Sequence, residues 1–160
     1  MTPRVRAGVG LAAAVLRLLP GAVLVFSGFL KAIRPAEEFA ALLSNYWILP
    51  PALLVPLARG VPWVEMWVGL CLLTGFGVRR AATAAAVLYG AFVVFLAQAL
   101  LRQLPMNDCG CFGRLGPALR PAQTLVMDIV LGALCVLAVW DREARFSLDR
   151  WIDPARFNKN

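Results

Sequence analysis

Apolar residues run almost unbroken through four stretches of the chain: Gly8 to Leu30, Gly60 to Phe76, Ala81 to Leu101 and Pro121 to Trp140. The first holds a single charge, Arg17, the second Glu65, the third none and the fourth Asp128. A helix rises about 1.5 Å per residue and a bilayer core is about 30 Å thick, so roughly 20 apolar residues cross it. The second stretch is short, but the apolar residues Pro51 to Ala58 lengthen it upstream past Arg59. Pro121 suits a first helical turn, where no backbone N–H is needed. The pattern predicts an all-α membrane protein, a four-transmembrane-helix bundle with helices at about 8–33, 53–76, 81–104 and 121–140.

Polar punctuation defines the connections. Between Pro35 and Pro50, the segment AEEFAALL predicts a short amphipathic helix, and Tyr46 and Trp47 have the character of interfacial anchors. A polar gap, 105–120, separates the third and fourth helices. A polar tail, 141–160, carries Phe146, Trp151, Ile152 and Phe157, which suit a seat on lipid headgroups. The opening MTPRVR resembles the start of a signal peptide, but Arg17 breaks the apolar core and no small-x-small site precedes Lys31. The first stretch is therefore expected to remain as a helix.

Charge sets the expected orientation, because Lys and Arg near helix ends are retained in the cytoplasm. Arg4, Arg6, Arg17, Arg79, Arg80 and the tail's Arg142, Arg145, Arg150, Arg156 and Lys159 fall on the side of the termini. Lys31, Arg34, Arg59, Arg102, Arg114 and Arg120 fall on the other. Both termini are expected to be cytoplasmic. The net charge of +7 then reflects topology and anionic lipid, and a nucleic-acid partner is not expected, since the basic residues do not cluster on one soluble face. The 160 residues, 61% apolar, make a single domain. With no histidine in the chain, imidazole catalysis and His-ligated metal sites are excluded, and four cysteines are left as the soft, redox-capable groups.

Two of these, Cys109 and Cys111, lie in the polar gap within NDCGCFG. On the inferred orientation they face the compartment where disulfides persist. Gly110 lets the backbone bend enough for a bond between them, and the small strained ring that results is suited to thiol–disulfide exchange. Asp108 opposes thiolate formation, and Arg102 and Arg114 offset it. Exchange is favoured over metal binding, for which Met106 is the one further soft group nearby, and over an inert loop staple.

The segments GFLKAIRPAEEFA, YWILPPAL, PWVEMWVGLCLLTGFG and DCGCFG together give the chain a resemblance to the MauE/DoxX-like family of redox-associated integral membrane proteins. The resemblance implies a four-helix bundle in the bacterial cytoplasmic membrane that works with an extracytoplasmic thioredoxin-like protein in disulfide formation or repair. It also suggests an analogy with the DsbB and vitamin K epoxide reductase bundles, which pass electrons from thiols to a quinone, although those carry CxxC and this chain CxC.

The charges inside the spans are the second informative feature, because a carboxylate in hydrocarbon must be paired, protonated or facing a cavity. Helical rise places Glu65 and Asp128 at one level, about 17 Å from the cytoplasmic ends, with Lys31 and Gln98 nearer the outer face. A polar pocket beneath the cysteine loop is expected, with Lys31 or Arg59 reaching down to neutralise Glu65. Its first reading is an ion pair or hydrogen bond that fixes helix register, its second a proton relay or ligand site. Trp63, Trp67 and Phe112 are candidate walls for a quinone, the one cofactor suggested, and equally simple interfacial anchors. Arg17, near its helix end, is expected to snorkel. Cys71 and Cys135 share a level near the cytoplasmic ends; a second thiol pair is one reading, small apolar core residues the better one. The functional expectation is a membrane thiol–disulfide oxidoreductase acting through Cys109 and Cys111, with no metal. The alternative is a non-catalytic scaffold or small-solute transporter in which the pocket binds substrate.

Overall fold

The computed structural model describes residues 3–45, 47–103 and 120–140, with side chains from residue 14 onward. Five helices follow one another: α1 (Pro3–Ala32), α2 (Ala36–Ser44), α3 (Pro51–Thr74), α4 (Val78–Leu101) and α5 (Pro121–Trp140). Four of them, Ala14–Ala32 of α1 and the whole of α3, α4 and α5, are long and apolar enough to cross a membrane. No strand occurs among the described residues, and the chain is an all-helical, multi-pass membrane protein.

The elements agree with the hydropathy pattern, and the differences sit at helix ends. The third helix stops at Thr74 rather than at 76, because Gly75 adopts a left-handed conformation (φ 76°) and its N–H caps the carbonyl of Cys71. Gly77, also left-handed (φ 56°), completes a three-residue turn. The fourth helix therefore begins at Val78 and takes Arg79 and Arg80 into its first turn. It ends at Leu101, ahead of Gln103 with its positive φ of 50°. The short helix expected over AEEFAALL is α2.

Each long helix buries a stripe of residues spaced three and four apart. In α1 the stripe is Arg17, Pro20, Gly21, Leu24, Ser27, Gly28 and Lys31. In α3 it runs through Ala58, Pro62, Glu65, Val68, Gly69 and Leu72, and in α5 through Thr124, Asp128, Leu131, Cys135 and Ala138. This is the spacing of helices that each turn one face to the interior of a bundle. The helices form a ring, α1 to α3 to α4 to α5 and back to α1, with little contact across the diagonals. The tightest pair is α1 with α3: a Cβ added at Gly28 would lie 2.6 Å from the Pro62 carbonyl oxygen, and one at Gly69 would lie 2.7 Å from that of Gly21. Small residues let these backbones approach, as helix pairs in lipid commonly require.

One apolar core cluster joins Leu24, Val68, Leu72, Tyr89, Leu131 and Cys135. A second joins Leu30, Leu96 and Ala99, with Leu125 packed against it, and so brings the end of α1, the end of α4 and the start of α5 to one end of the bundle. Helix α2, which directly follows α1 and packs against α3, lies at this same end. Arg17 corrects an expectation. It is buried, since it falls on the inner stripe of α1 two heptads before Lys31, so helical phase holds it among neighbours instead of snorkelling outward.

Candidate functional site

The last two turns of α1 and the middle of α3 meet at a buried polar cluster. Lys31 Nζ donates to Glu65 Oε1 at 2.6 Å and to Ser27 Oγ at 3.0 Å, and Ser27 Oγ donates to Glu65 Oε2 at 3.2 Å. Three hydrogen bonds thus close a ring, and both carboxylate oxygens are engaged by α1. The side chains of Lys31 and Glu65 are 2% and 0% exposed, so water screens neither charge. Local geometry explains the meeting: Ser27 lies one turn before Lys31, and Gly28 has no side chain to hold the α3 backbone around Pro62 and Glu65 away. The Lys31 ammonium also stands over two rings, Phe92 of α4 at 4.8 Å and Phe39 of α2 at 5.4 Å from their centroids. An ammonium between aromatic faces and a carboxylate is held by both.

Below this cluster the interior is mostly apolar. The Tyr89 hydroxyl donates to the Pro20 carbonyl oxygen at 2.9 Å, which ties α4 to α1 one step deeper. Asp128 is buried on α5, and both it and Glu65 lie within electrostatic range of Tyr89.

Of the residues named for a polar pocket, Lys31 and Glu65 meet directly. Arg59 does not join them: it lies on the surface 3.6 Å from Glu37 of α2, too far round α3 to reach the inner stripe. The Gln98 amide, near the end of α4, has its nitrogen and oxygen buried without a hydrogen-bond partner among the described residues. Trp63 and Trp67 are 65% and 67% exposed, two residues either side of Glu65 and therefore on the opposite face of α3. They do not wall the polar cluster. Cys71 and Cys135 are free thiols, Cys135 fully buried in the main core and Cys71 packed at its edge. Cys109, Cys111 and Phe112 lie outside the described residues. Among the described residues no group of His, Cys, Asp and Glu could hold a metal ion.

Sequence reasoning missed Ser27, Phe39 and Phe92. Ser27 carried a usable signal, as a lone hydroxyl four residues before a lysine in an apolar run. The two phenylalanines carried none, because nothing distinguishes them in sequence from the other apolar residues of their helices.

No solved structure matches the chain. Two curated relatives do, both described as "Methylamine utilization protein MauE". The protein from Methylophilus methylotrophus is 31% identical over 93 residues, 58% of this chain and 49% of its own length. That from Paracoccus denitrificans is 35% identical over 91 residues, 57% of this chain and 49% of its own. The match spans about half the length of these relatives. The family model described as "Methylamine utilisation protein MauE" matches residues 9–141, which takes in all four spans, the α2 segment and the cysteine loop. The chain belongs to the MauE family.

Proposed function

We propose that this protein is a membrane thiol–disulfide oxidoreductase in methylamine utilisation, exchanging a disulfide between Cys109 and Cys111 and an extracytoplasmic thioredoxin-like protein in support of protein maturation. The relatives' names carry the link to methylamine utilisation. The observation that carries the chemistry is the Cys109-Gly110-Cys111 sequence in the segment joining α4 to α5. The end of α4 and the start of α5, which flank that segment, lie at the end of the bundle where α2 and Lys31 lie. Two thiols one residue apart in a polar segment between two spans suit exchange with a soluble partner. The bacterial relatives favour the cytoplasmic membrane of a bacterium, and the charge asymmetry favours this end outward.

In such an exchange a partner thiolate attacks one sulfur of the disulfide and the second sulfur leaves as a thiolate. The partner's second thiol then attacks the mixed disulfide, which oxidises the partner and reduces both cysteines. In the reverse direction the second cysteine of this chain is the thiolate that resolves the mixed disulfide. Cys109 follows the polar loop residues, and Cys111 precedes Phe112 and the apolar surface. Cys109 is accordingly the sulfur that meets the partner. Cys111→Ser should trap a covalent adduct in cells, visible on a non-reducing gel, lost with reductant and identified by mass spectrometry. Cys109→Ser should trap far less. Full activity in the double Cys109→Ser, Cys111→Ser variant would overturn the reading. The buried Lys31–Glu65 pair favours a second reading, small-solute transport, in which Glu65 is indispensable and both cysteines are not.

A further inference from the structure

We propose that Lys31, Ser27 and Glu65 form a proton-exchange site that communicates with one end of the bundle only, beneath α2, with Phe39 as its gate. The inference does not depend on the cysteines. Internally the step is an N–H bond of Lys31 breaking as an O–H bond forms on Glu65, directly over 2.6 Å or through the Ser27 hydroxyl. The net charge of the cluster is zero before and after, so this step leaves no isolated charge in the low-dielectric interior. Uptake of one further proton leaves Glu65 neutral and Lys31 charged, held by Ser27 and the two rings alone. The ammonium is then free to swing towards the α2 end.

Access is one-sided because the groups around the site differ above and below. Lys31 lies in the last turn of α1. From α2, the half-buried Phe39 ring stands against it at 5.4 Å. Helix α2 is pinned by two exposed ion pairs, Arg34–Glu38 at 2.8 Å and Arg59–Glu37 at 3.6 Å, of the kind that contribute little each. On the deeper side Leu24, Val68 and Leu72 are packed into the core, and the Tyr89 hydroxyl is turned to the Pro20 carbonyl, so its proton does not point at Glu65. Among the charged and titratable groups, Lys31 from α1 meets Glu65 directly and Tyr89 from α4 lies within electrostatic range of it; Asp128 and Cys135 from α5 lie within range of Tyr89, and Arg34, Glu37, Glu38 and Arg59 stand around the gate.

Infrared difference spectroscopy of the purified protein in lipid, stepped between about pH 4 and pH 10, tests this. Uniform carbon-13 labelling of glutamate marks the Glu65 carboxyl without any substitution. Of the other glutamates, Glu37 and Glu38 are exposed and give bands that shift at once in heavy water, and the Glu143→Gln variant removes the contribution of the remaining one. A protected carboxyl band that appears on acidification, shifts with the glutamate label and vanishes in Glu65→Gln is expected. Its deuterium shift should be about tenfold faster in Phe39→Ala, the loss of one cation–π contact to the gate, and unchanged in Leu72→Ala. Absence of a protected glutamate band, or a band that follows Asp128→Asn instead, overturns the site. Faster exchange in Leu72→Ala with none in Phe39→Ala overturns the gate.

Discussion

Glu65 is fully buried in an apolar bundle and Lys31 nearly so; each makes the other tolerable. The pair therefore behaves unlike the surface acids when cut. Lys31→Met strands a carboxylate and is expected to lower stability by about 3–5 kcal/mol, read as a drop in the thermal midpoint in detergent. Removing both charges in Lys31→Met, Glu65→Gln should recover most of that loss, because a neutral amide needs no counter-ion. Glu65→Gln alone should reduce stability or turnover more than Glu37→Gln or Glu143→Gln. Glu37 is solvated and 3.6 Å from Arg59, and its loss is expected to stay within about 0.5 kcal/mol. Equal effects at all three glutamates would remove the buried pair from the account.

At the scale of elements, the close approach of α1 and α3 rests on glycines. A methyl group at position 69 would lie 2.7 Å from the Gly21 carbonyl oxygen and 2.9 Å from the Val25 nitrogen, both backbone atoms that cannot rotate away. Gly69→Ala should push the helices apart and destabilise by about 1–3 kcal/mol, as overpacking does elsewhere. Gly90 in α4 is the matched control, since a Cβ there meets nothing within 4 Å. Gly90→Ala is expected to be neutral or to stabilise by about 0.5–1 kcal/mol through helix propensity. Thermal melts of the two variants side by side check both. If the Gly69 and Gly90 variants melt alike, the close crossing does not hold the bundle together.

The whole molecule has two ends, and the charge count predicts which of them is cytoplasmic. Arg79 and Arg80 flank the turn at Gly75 and Gly77, at the end opposite α2, as the positive-inside rule expects of a cytoplasmic face. A membrane-impermeant thiol reagent added to intact cells after mild reduction should label Cys109 or Cys111. It should miss Cys71 and Cys135, which are packed in or against the core. Labelling of the loop cysteines only after the inner membrane is opened would reverse the orientation and remove the extracytoplasmic partner with it.

The all-helical architecture, the four spans and the short helix after α1 were legible in the sequence because each follows from chain-local physics. Apolar run length sets the spans, and prolines, glycines and charges mark their limits, with errors of a few residues where Gly75 and Gly77 turn left-handed. The cost of charge in hydrocarbon likewise singled out Lys31 and Glu65 before any contact was known. Which cation reaches Glu65 was not legible. Lys31 and Arg59 are both near enough along their helices, and the choice depends on rotational phase: Lys31 falls on the buried stripe of α1, Arg59 on the surface of α3. The same phase turned Trp63 and Trp67 away from the cluster and Arg17 into the interior. The aromatic enclosure by Phe39 and Phe92 comes from two further helices, and long-range contacts of this kind leave no local mark. Sequence thus determined which groups must find partners, and tertiary structure alone decided which partners, because helix rotation and crossing are set by how whole stripes interlock.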